Sequence, residues 1–316
     1  MFSEIKDYRA VFEILVTKTA DYLIQNNIKA QILGISGGID STVCAAICHE
    51  VSKRINIPLI GRSLPTAFNK KDEINSADLV GKAFCNDYKE VNIQNWYTEI
   101  SDQLFYTEKT PRKIICNGNI QARLRMMYLY DLAGNNNGIV IDTDNLTENN
   151  LGYFTIHGDV GDFNPIGGLW KTEVFKLAEW IMNWYGSYTH TYFYTDSPEM
   201  IEYKQGNLYK ARAIKESLKL QPTAGLGITN NDLEELGAES YEQVDSILQE
   251  ILAWKWLSNK RGDTFGPTWT MRDAFLEEQQ MLDMPIDVII AVTDRHFNSE
   301  FKRNKLPIKI NREEII

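Results

Sequence analysis

The sequence predicts an α/β fold: a parallel sheet flanked by helices, followed by a C-terminal helical lobe. Three observations predict it. Short apolar strand-like runs alternate with segments of helical period through the first 150 residues, and that alternation favours a parallel sheet covered on both faces. The run Ala30–Ile35 stops abruptly at Ser36-Gly37-Gly38-Ile39-Asp40-Ser41, a strand-to-helix turn of small residues. From Lys171 onward the apolar spacing is helical or irregular, without further strands.

The elements follow in order. Val11, Ile14, Leu15, Ala20, Leu23 and Ile24 mark a helix from Tyr8 to Asn26, and Ala30–Ile35 a first strand. Val43, Ala46, Ile47 and Val51 mark the next helix. Pro58–Ile60 is strand-like, Ser76–Phe84 helical and Tyr88–Ile93 a third strand. A helix over Asn119–Ala133 leads into a fourth strand, Gly138–Thr143. Glu173–Trp184 is helical, and Gly186–Gln221 reads as an irregular insertion with one helix near Leu208–Leu218. Tyr241–Trp256 and Asp287–Phe297 supply the helical lobe. One domain spanning 1–316 is expected, with 186–221 as an insertion.

Composition narrows the function. Of 316 residues, 43% are hydrophobic and 24% charged, enough for a large core. The net charge of -10 argues against a broad basic surface for nucleic acid. No run of about 18 apolar residues suggests a membrane span, and MFSEIKDYRA lacks the apolar stretch of a signal peptide. Cys44, Cys48, Cys85 and Cys116 form no C-x-x-C pair, so a reduced, cytoplasmic protein is expected, with Cys44 and Cys48 buried on one helix. The seven tryptophans read mostly as core, and His157 as packed or hydrogen-bonded.

The informative segment is the turn at 36–41. Ser36, Gly37 and Gly38 let the backbone approach an anion, which the following helix N-terminus favours. Asp40 would repel phosphates unless it holds a Mg²⁺ that bridges to them, and Ser41 can cap the helix. The same spacing suits a plain tight turn with an Asp or Ser cap. A Gly-Lys-Ser/Thr ending, needed for the common P-loop, is absent.

SGGIDS resembles the loop of the PP-loop ATP pyrophosphatases. The later motifs resemble the ammonia-dependent NAD synthetases within that superfamily: Gly118-Asn119-Ile120-Gln121-Ala122-Arg123-Leu124-Arg125-Met126, Asp142-Thr143-Asp144-Asn145 with Glu148, Leu151–Thr155 with Gly158-Asp159, Lys171-Thr172-Glu173, Pro222-Thr223-Ala224-Gly225 and Glu300–Arg303. The resemblance implies ATP-dependent amidation of deamido-NAD through an acyl-adenylate, with ammonia as nitrogen donor and AMP and pyrophosphate released. It implies that Gly34, Ser36, Gly37, Gly38, Asp40, Ser41, Leu64, Thr143, Lys171 and Thr223 bind ATP. Asp40, Lys171 and Thr223 would act in catalysis, and Asp40 and Glu148 would ligate Mg²⁺. Asn119, Arg123, Asp159, Asp162 and Lys302 would hold deamido-NAD. A homodimer is implied, with a mobile loop over Pro222–Leu236. The stretch before Ala30 is too short for the glutamine amidase domain of glutamine-using relatives.

Some positions depart from the family pattern. Ile156 stands where a substrate-contacting lysine is usual, Phe301 replaces the histidine before Lys302, and Asp142 brings a carboxylate near the expected ATP site. A paralogue amidating another carboxylate is the alternative reading. A tRNA-modifying enzyme is disfavoured by the charge and the lack of a cysteine pair. A non-catalytic nucleotide binder is disfavoured by the joint presence of Asp40, Glu148, Lys171 and Thr223.

Overall fold

The computed structural model describes residues 4–104, 111–187, 197–221, 232–265, 269–278 and 284–303. Its sheet has four parallel strands in the order β3-β2-β1-β4: β1 Ala30–Gly34, β2 Leu59–Ser63, β3 Asp87–Glu90 and β4 Gly138–Ile141. Consecutive residues of β1 serve opposite faces, as strand geometry requires. Leu33 packs with α1 (Tyr8–Gln25), α2 (Ile39–Ile55) and α7 (Lys171–Ser187). Ile32 packs with α4 (Gln94–Gln103) and α5 (Pro111–Asn135) on the other side. The helix α3 (Lys71–Phe84) closes the first layer beside β2.

The strand order has a functional consequence. Chain leaving β1 turns toward β2, and β4 lies on the opposite flank, so a crevice opens beyond the carboxyl ends of β1 and β4. The turn at 36–41 and the segment after Ile141 both empty into it. The short helix α6 (Leu146–Leu151) descends from that edge. A second apolar cluster joins it to α10 (Tyr241–Arg261), α11 (Met271–Glu278) and α12 (Ile286–Asn298). The short α9 (Asp232–Leu236) and α13 (Glu300–Arg303) complete this lobe.

Several boundaries differ from the sequence expectation. The third strand ends at Glu90, because Asn92 Oδ1 accepts from Gln94 N–H and starts α4 there. The α5 helix begins at Pro111, eight residues before the expected start, with proline in the first-turn position it tolerates. The greatest difference is α8, a 20-residue helix over Pro198–Ser217, which starts ten residues before the one helix expected near Leu208–Leu218 in a stretch otherwise read as irregular. Ser197 caps it, its hydroxyl accepting from Met200 N–H. Its buried positions are Lys204, Asn207, Ala211, Ala213, Ile214 and Ser217, mostly small or polar, so no apolar stripe announces it.

Cys44 and Cys48 are buried as expected, and burial pushes both thiols up. Trp96, Trp256 and Trp269 are exposed, so the expectation that tryptophans are mostly core holds for the other four alone. His157 is also exposed, with a positive φ of 53°, at a turn rather than in packing. No helix among the described residues is long and apolar enough to cross a membrane.

His296, fully buried on α12, is the histidine that packing does claim. Its Nδ1–H donates to Asn150 O, and burial first, then Arg303 and Lys255, pull it down to about 3. Its folded value lies below the unfolded one, so its share of stability is present at neutral pH and is lost as pH falls through 6.5 toward 3. Between pH 7 and pH 5 that loss is about 2 kcal/mol. Urea titrations across this range are expected to show it, and a flatter acid limb in His296→Asn.

Candidate active site

The turn after β1 is built from three directions. Gly38 is the N-cap of α2, and its carbonyl accepts from Ser41 Oγ (3.1 Å) and Thr42 Oγ1 (2.8 Å). Ser41 is therefore not the cap; it sits in the first turn and reaches back, 2.9 Å from Ser36 Oγ. Gly38 N–H points to the same hydroxyl, at 3.2 Å. Gly37 has a φ of +85°, and a Cβ there would lie 2.5 Å from Glu73 O and 2.7 Å from Ala77 N. Glycine at 37 thus lets α3 press against the back of the turn. Gly37 O accepts from Ser76 Oγ (2.8 Å) and Ser217 Oγ (2.9 Å), so α3 and α8 both brace it. Gly37 does not line the cavity that Ser36, Gly38 and Ser41 face.

Opposite this turn lies an ionic cluster. Lys171, the first residue of α7, is fully buried, and its Nζ donates to Asp40 Oδ2 (2.6 Å) and Glu148 Oε1 (2.9 Å). Burial works against the ammonium, but the two carboxylates outweigh it and hold Lys171 well above its usual range. Burial and then Asp40 push Glu148 up to about 7, against the pull of Lys171. Asn145 ties the cluster together: its Nδ2 donates to Asp40 Oδ1 at 2.9 Å. The same residue caps α6 in a reciprocal box with Glu148, whose Oε2 accepts from Asn145 N–H. Glu148 is therefore both a helix-start acid and a member of the site.

The cluster sets two carboxyl groups against one ammonium. Two hard carboxylate oxygens beside a phosphate-sized turn suit Mg²⁺, which is typically bound through one or two carboxylates together with phosphate oxygens. The donor set fits the ion that the sequence implies.

The position of Lys171 is set from behind by Asp245 on α10. Asp245 Oδ2 accepts from Thr172 N–H (3.1 Å) and Thr172 Oγ1 (2.8 Å), occupying the N-terminus of α7. Asp245 Oδ1 accepts from Thr147 Oγ1, which itself accepts from Lys171 N–H at 2.8 Å. Thr147→Val keeps the shape and removes both bonds. It is expected to cost about 1–3 kcal/mol in urea titration and to lower turnover about tenfold or more as the ammonium loses its fixed origin.

The cavity is about 680 Å³ and opens between the sheet edge and the C-terminal lobe. It is lined by Gly34, Ser36, Gly38, Asp40, Ser41, Leu64, Thr143, Glu148 and Lys171, and by Asn119, Asp159 and Lys302 across from them. Asp159 Oδ1 accepts from Thr155 N–H (2.6 Å), and Thr155 Oγ1 donates to Asn119 Oδ1 (2.9 Å). Lys302 Nζ donates to Gly152 O (2.7 Å) and Phe154 O (2.8 Å).

Other expected residues are placed elsewhere. Arg123 lines a second cavity of about 450 Å³, with Nη2 donating to Ile156 O at 3.1 Å. Asp162 lines neither cavity; its carboxylate accepts from Val140 N–H (2.9 Å) and Tyr130 OH (3.0 Å) and fastens the chain to β4. Asp142 is buried, and its Oδ1 accepts from Asp144 N–H, so its carboxylate shapes the turn rather than lining the ATP side. Phe301 is exposed. Thr223 and the expected loop through residue 231 lie outside the described residues. Sequence reasoning missed Asn145 and Asp245 as organisers: Asn145 was visible within its motif, whereas nothing local marks Asp245.

Known proteins resemble this chain over most of its length. The family model described as NAD synthase matches residues 11–263. An NH(3)-dependent NAD(+) synthetase of Methanococcoides burtonii is 32% identical over 76% of this chain and 79% of its own length. One from Thermoplasma volcanium is 33% identical over 70% and 76%. Among solved structures, NMN synthetase from Francisella tularensis superposes with a TM-score of 0.67 at 26% identity, covering 97% of this chain and all of that one. The matched stretch contains the turn, the ionic cluster and the helix that holds them, and the chain belongs to the NAD synthase family.

Proposed function

We propose that this chain is an ammonia-dependent synthetase that amidates the nicotinate carboxylate of deamido-NAD to give NAD. The observation that carries the reading is Lys171 held between Asp40 and Glu148 at the mouth of the 36–41 turn. Ser36, Gly38 and Ser41 bind the ATP phosphates through hydroxyl and N–H donors, and Lys171 meets the charge that develops on the departing pyrophosphate. Asp40 and Glu148 would hold Mg²⁺, which supplies neutralising charge when bound. A carboxylate oxygen attacks the α-phosphorus, and the bond to pyrophosphate breaks. Ammonia then attacks the acyl carbon, AMP leaves with the bonding electrons, and a proton is lost from nitrogen. The chain's work is alignment and exclusion of water from the adenylate.

The test is conversion of ATP to AMP and pyrophosphate, measured with and without deamido-NAD and ammonium. AMP and NAD formed together, only when both are added, is the expected result; release of ADP, or AMP without amide, overturns the reading. A mononucleotide substrate is the second reading, favoured by the full-length likeness to the Francisella NMN synthetase. Nicotinate mononucleotide in a parallel reaction tests it.

The assembly belongs to the same proposal. Ile114, Ile115, Met127 and Tyr130 on α5 and Trp96 on α4 are exposed apolar side chains, the composition expected of a subunit contact rather than a solvated face. A homodimer burying about 1,600 Å² or more is expected. Light scattering at micromolar concentration checks it, with Met127→Glu expected to shift the mass toward monomer.

A further inference from the structure

Three arginines line the large cavity, and one of them lacks what the other two have. Arg62 Nη2 faces Asp87 at 2.7 Å, and Arg295 Nη1 faces Glu235 at 2.9 Å. Arg125 instead donates from Nε to Leu64 O (3.1 Å) and from Nη2 to Asn69 Oδ1 (3.2 Å), both neutral acceptors. Among the described residues no carboxylate stands at ion-pair distance from it; Asp159 and Glu73 act only from further away. Burial makes its guanidinium harder to keep protonated than usual, which is the signature of a cation short of compensation.

Its placement says what would compensate it. On α5 the cavity is lined by Ile115, Gly118, Asn119, Ala122, Met126 and Leu129 around Arg125, the one charged side chain this helix gives to it. Leu64 and Asn69 hold Arg125 on one flank, and Asn119, Thr155 and Asp159 stand along the other. That is the seam between the two sets of residues expected to bind ATP and the pyridine nucleotide. The geometry points to Arg125 as a further substrate-binding residue, one that takes an oxyanion of the pyridine nucleotide, its carboxylate or its phosphate. The planar fork has donors to spare for such a group. This assignment rests on the amidation reading for the identity of the anion. A purely structural Arg125 would instead serve as a strut for the Leu64 carbonyl, and would be felt by ATP.

Calorimetric titration of the full chain separates these roles. Arg125→Gln retains an amide donor for Leu64 O without the charge, and Arg125→Lys retains charge without the fork. Deamido-NAD affinity is expected to fall about ten- to a hundredfold in Arg125→Gln and less in Arg125→Lys, with ATP affinity and melting temperature nearly unchanged. Titration with NAD assigns the anion: equal weakening places the phosphate on Arg125, and no weakening places the carboxylate there. Loss of ATP affinity with deamido-NAD affinity intact, or no change in either, overturns the assignment. Should Arg125→Gln fail to fold, Arg125→Lys carries the same comparison. Wild-type protein that binds deamido-NAD but does not amidate it sinks the functional reading alone; wild-type protein that does not bind it sinks both.

Discussion

Asp40→Asn is expected to cut adenylation by about 10²–10³-fold, while the chain folds and melts close to the wild type. The replacement is nearly isosteric, and its remaining oxygen can still accept from Lys171 Nζ. What disappears is a charge, and with it one of the two carboxylates proposed to hold Mg²⁺. Removing one preorganised electrostatic group from a water-poor site commonly costs about 3–4 kcal/mol of transition-state stabilisation. Folding tolerates the change because Lys171 keeps Glu148 as its counter-charge. Pyrophosphate–ATP exchange reads the step directly, and deamido-NAD binding is expected to persist. Near-normal exchange at ordinary Mg²⁺ would remove Asp40 from this role.

Lys171→Met is expected to damage both activity and stability, and so to separate itself from Asp40→Asn. The ammonium is fully buried and is the positive member of a cluster with two negative ones. Deleting it leaves Asp40 and Glu148 facing each other without their shared cation. Breaking a buried pair in this way costs about 3–5 kcal/mol, measurable by urea titration, together with a loss of adenylation of about 10³-fold or more. Arginine is not expected to substitute, because its planar fork approaches carboxylates in a different geometry from the compact ammonium that Asp40 and Glu148 share. The double variant is expected to lose less than the two single losses combined, since the residues act as one unit. Full additivity would mean that the cluster is not the working element.

The parts of this fold written in local sequence are those that local chemistry determines. Ser36-Gly37-Gly38 could be read as a close-approach turn, and the structure explains it, although Gly37 is glycine for the backbone of α3 rather than for a ligand. The strands β1 and β4 were visible as short apolar runs, because a parallel strand buried on both faces has no polar side to confuse the pattern. By contrast β3, Asp87-Tyr88-Lys89-Glu90 at the sheet edge, is part exposed and carries no such run. Only the C-terminal half of the helix α8 was visible, as the helix expected near Leu208–Leu218. Its first half was not, since its buried face is made of residues such as Lys204 and Asn207 whose burial depends on partners far away in the chain. Asp245 is the same lesson within the site. It fixes the start of α7 from about 70 residues downstream, and only the packed lobe brings it there. The roles of Arg123 and Asp162 were drawn from motif similarity, which transfers residue type but not contacts. Here Asp162 is engaged with Val140 and Tyr130.

The peptide between Gly37 and Gly38 has one more implication. A trans peptide is a rigid plane whose carbonyl and N–H point in opposite directions. Two serine hydroxyls, from α3 and α8, grip the carbonyl from behind. The N–H at the front is thereby aimed at Ser36 Oγ and the crevice before any nucleotide arrives. Such a donor has little orientational freedom left to surrender, so nucleotide binding at this turn should carry a small entropic penalty. Ser217→Ala releases one of the two grips without touching the crevice, and its effect should appear as a less favourable binding entropy with the enthalpy almost unchanged.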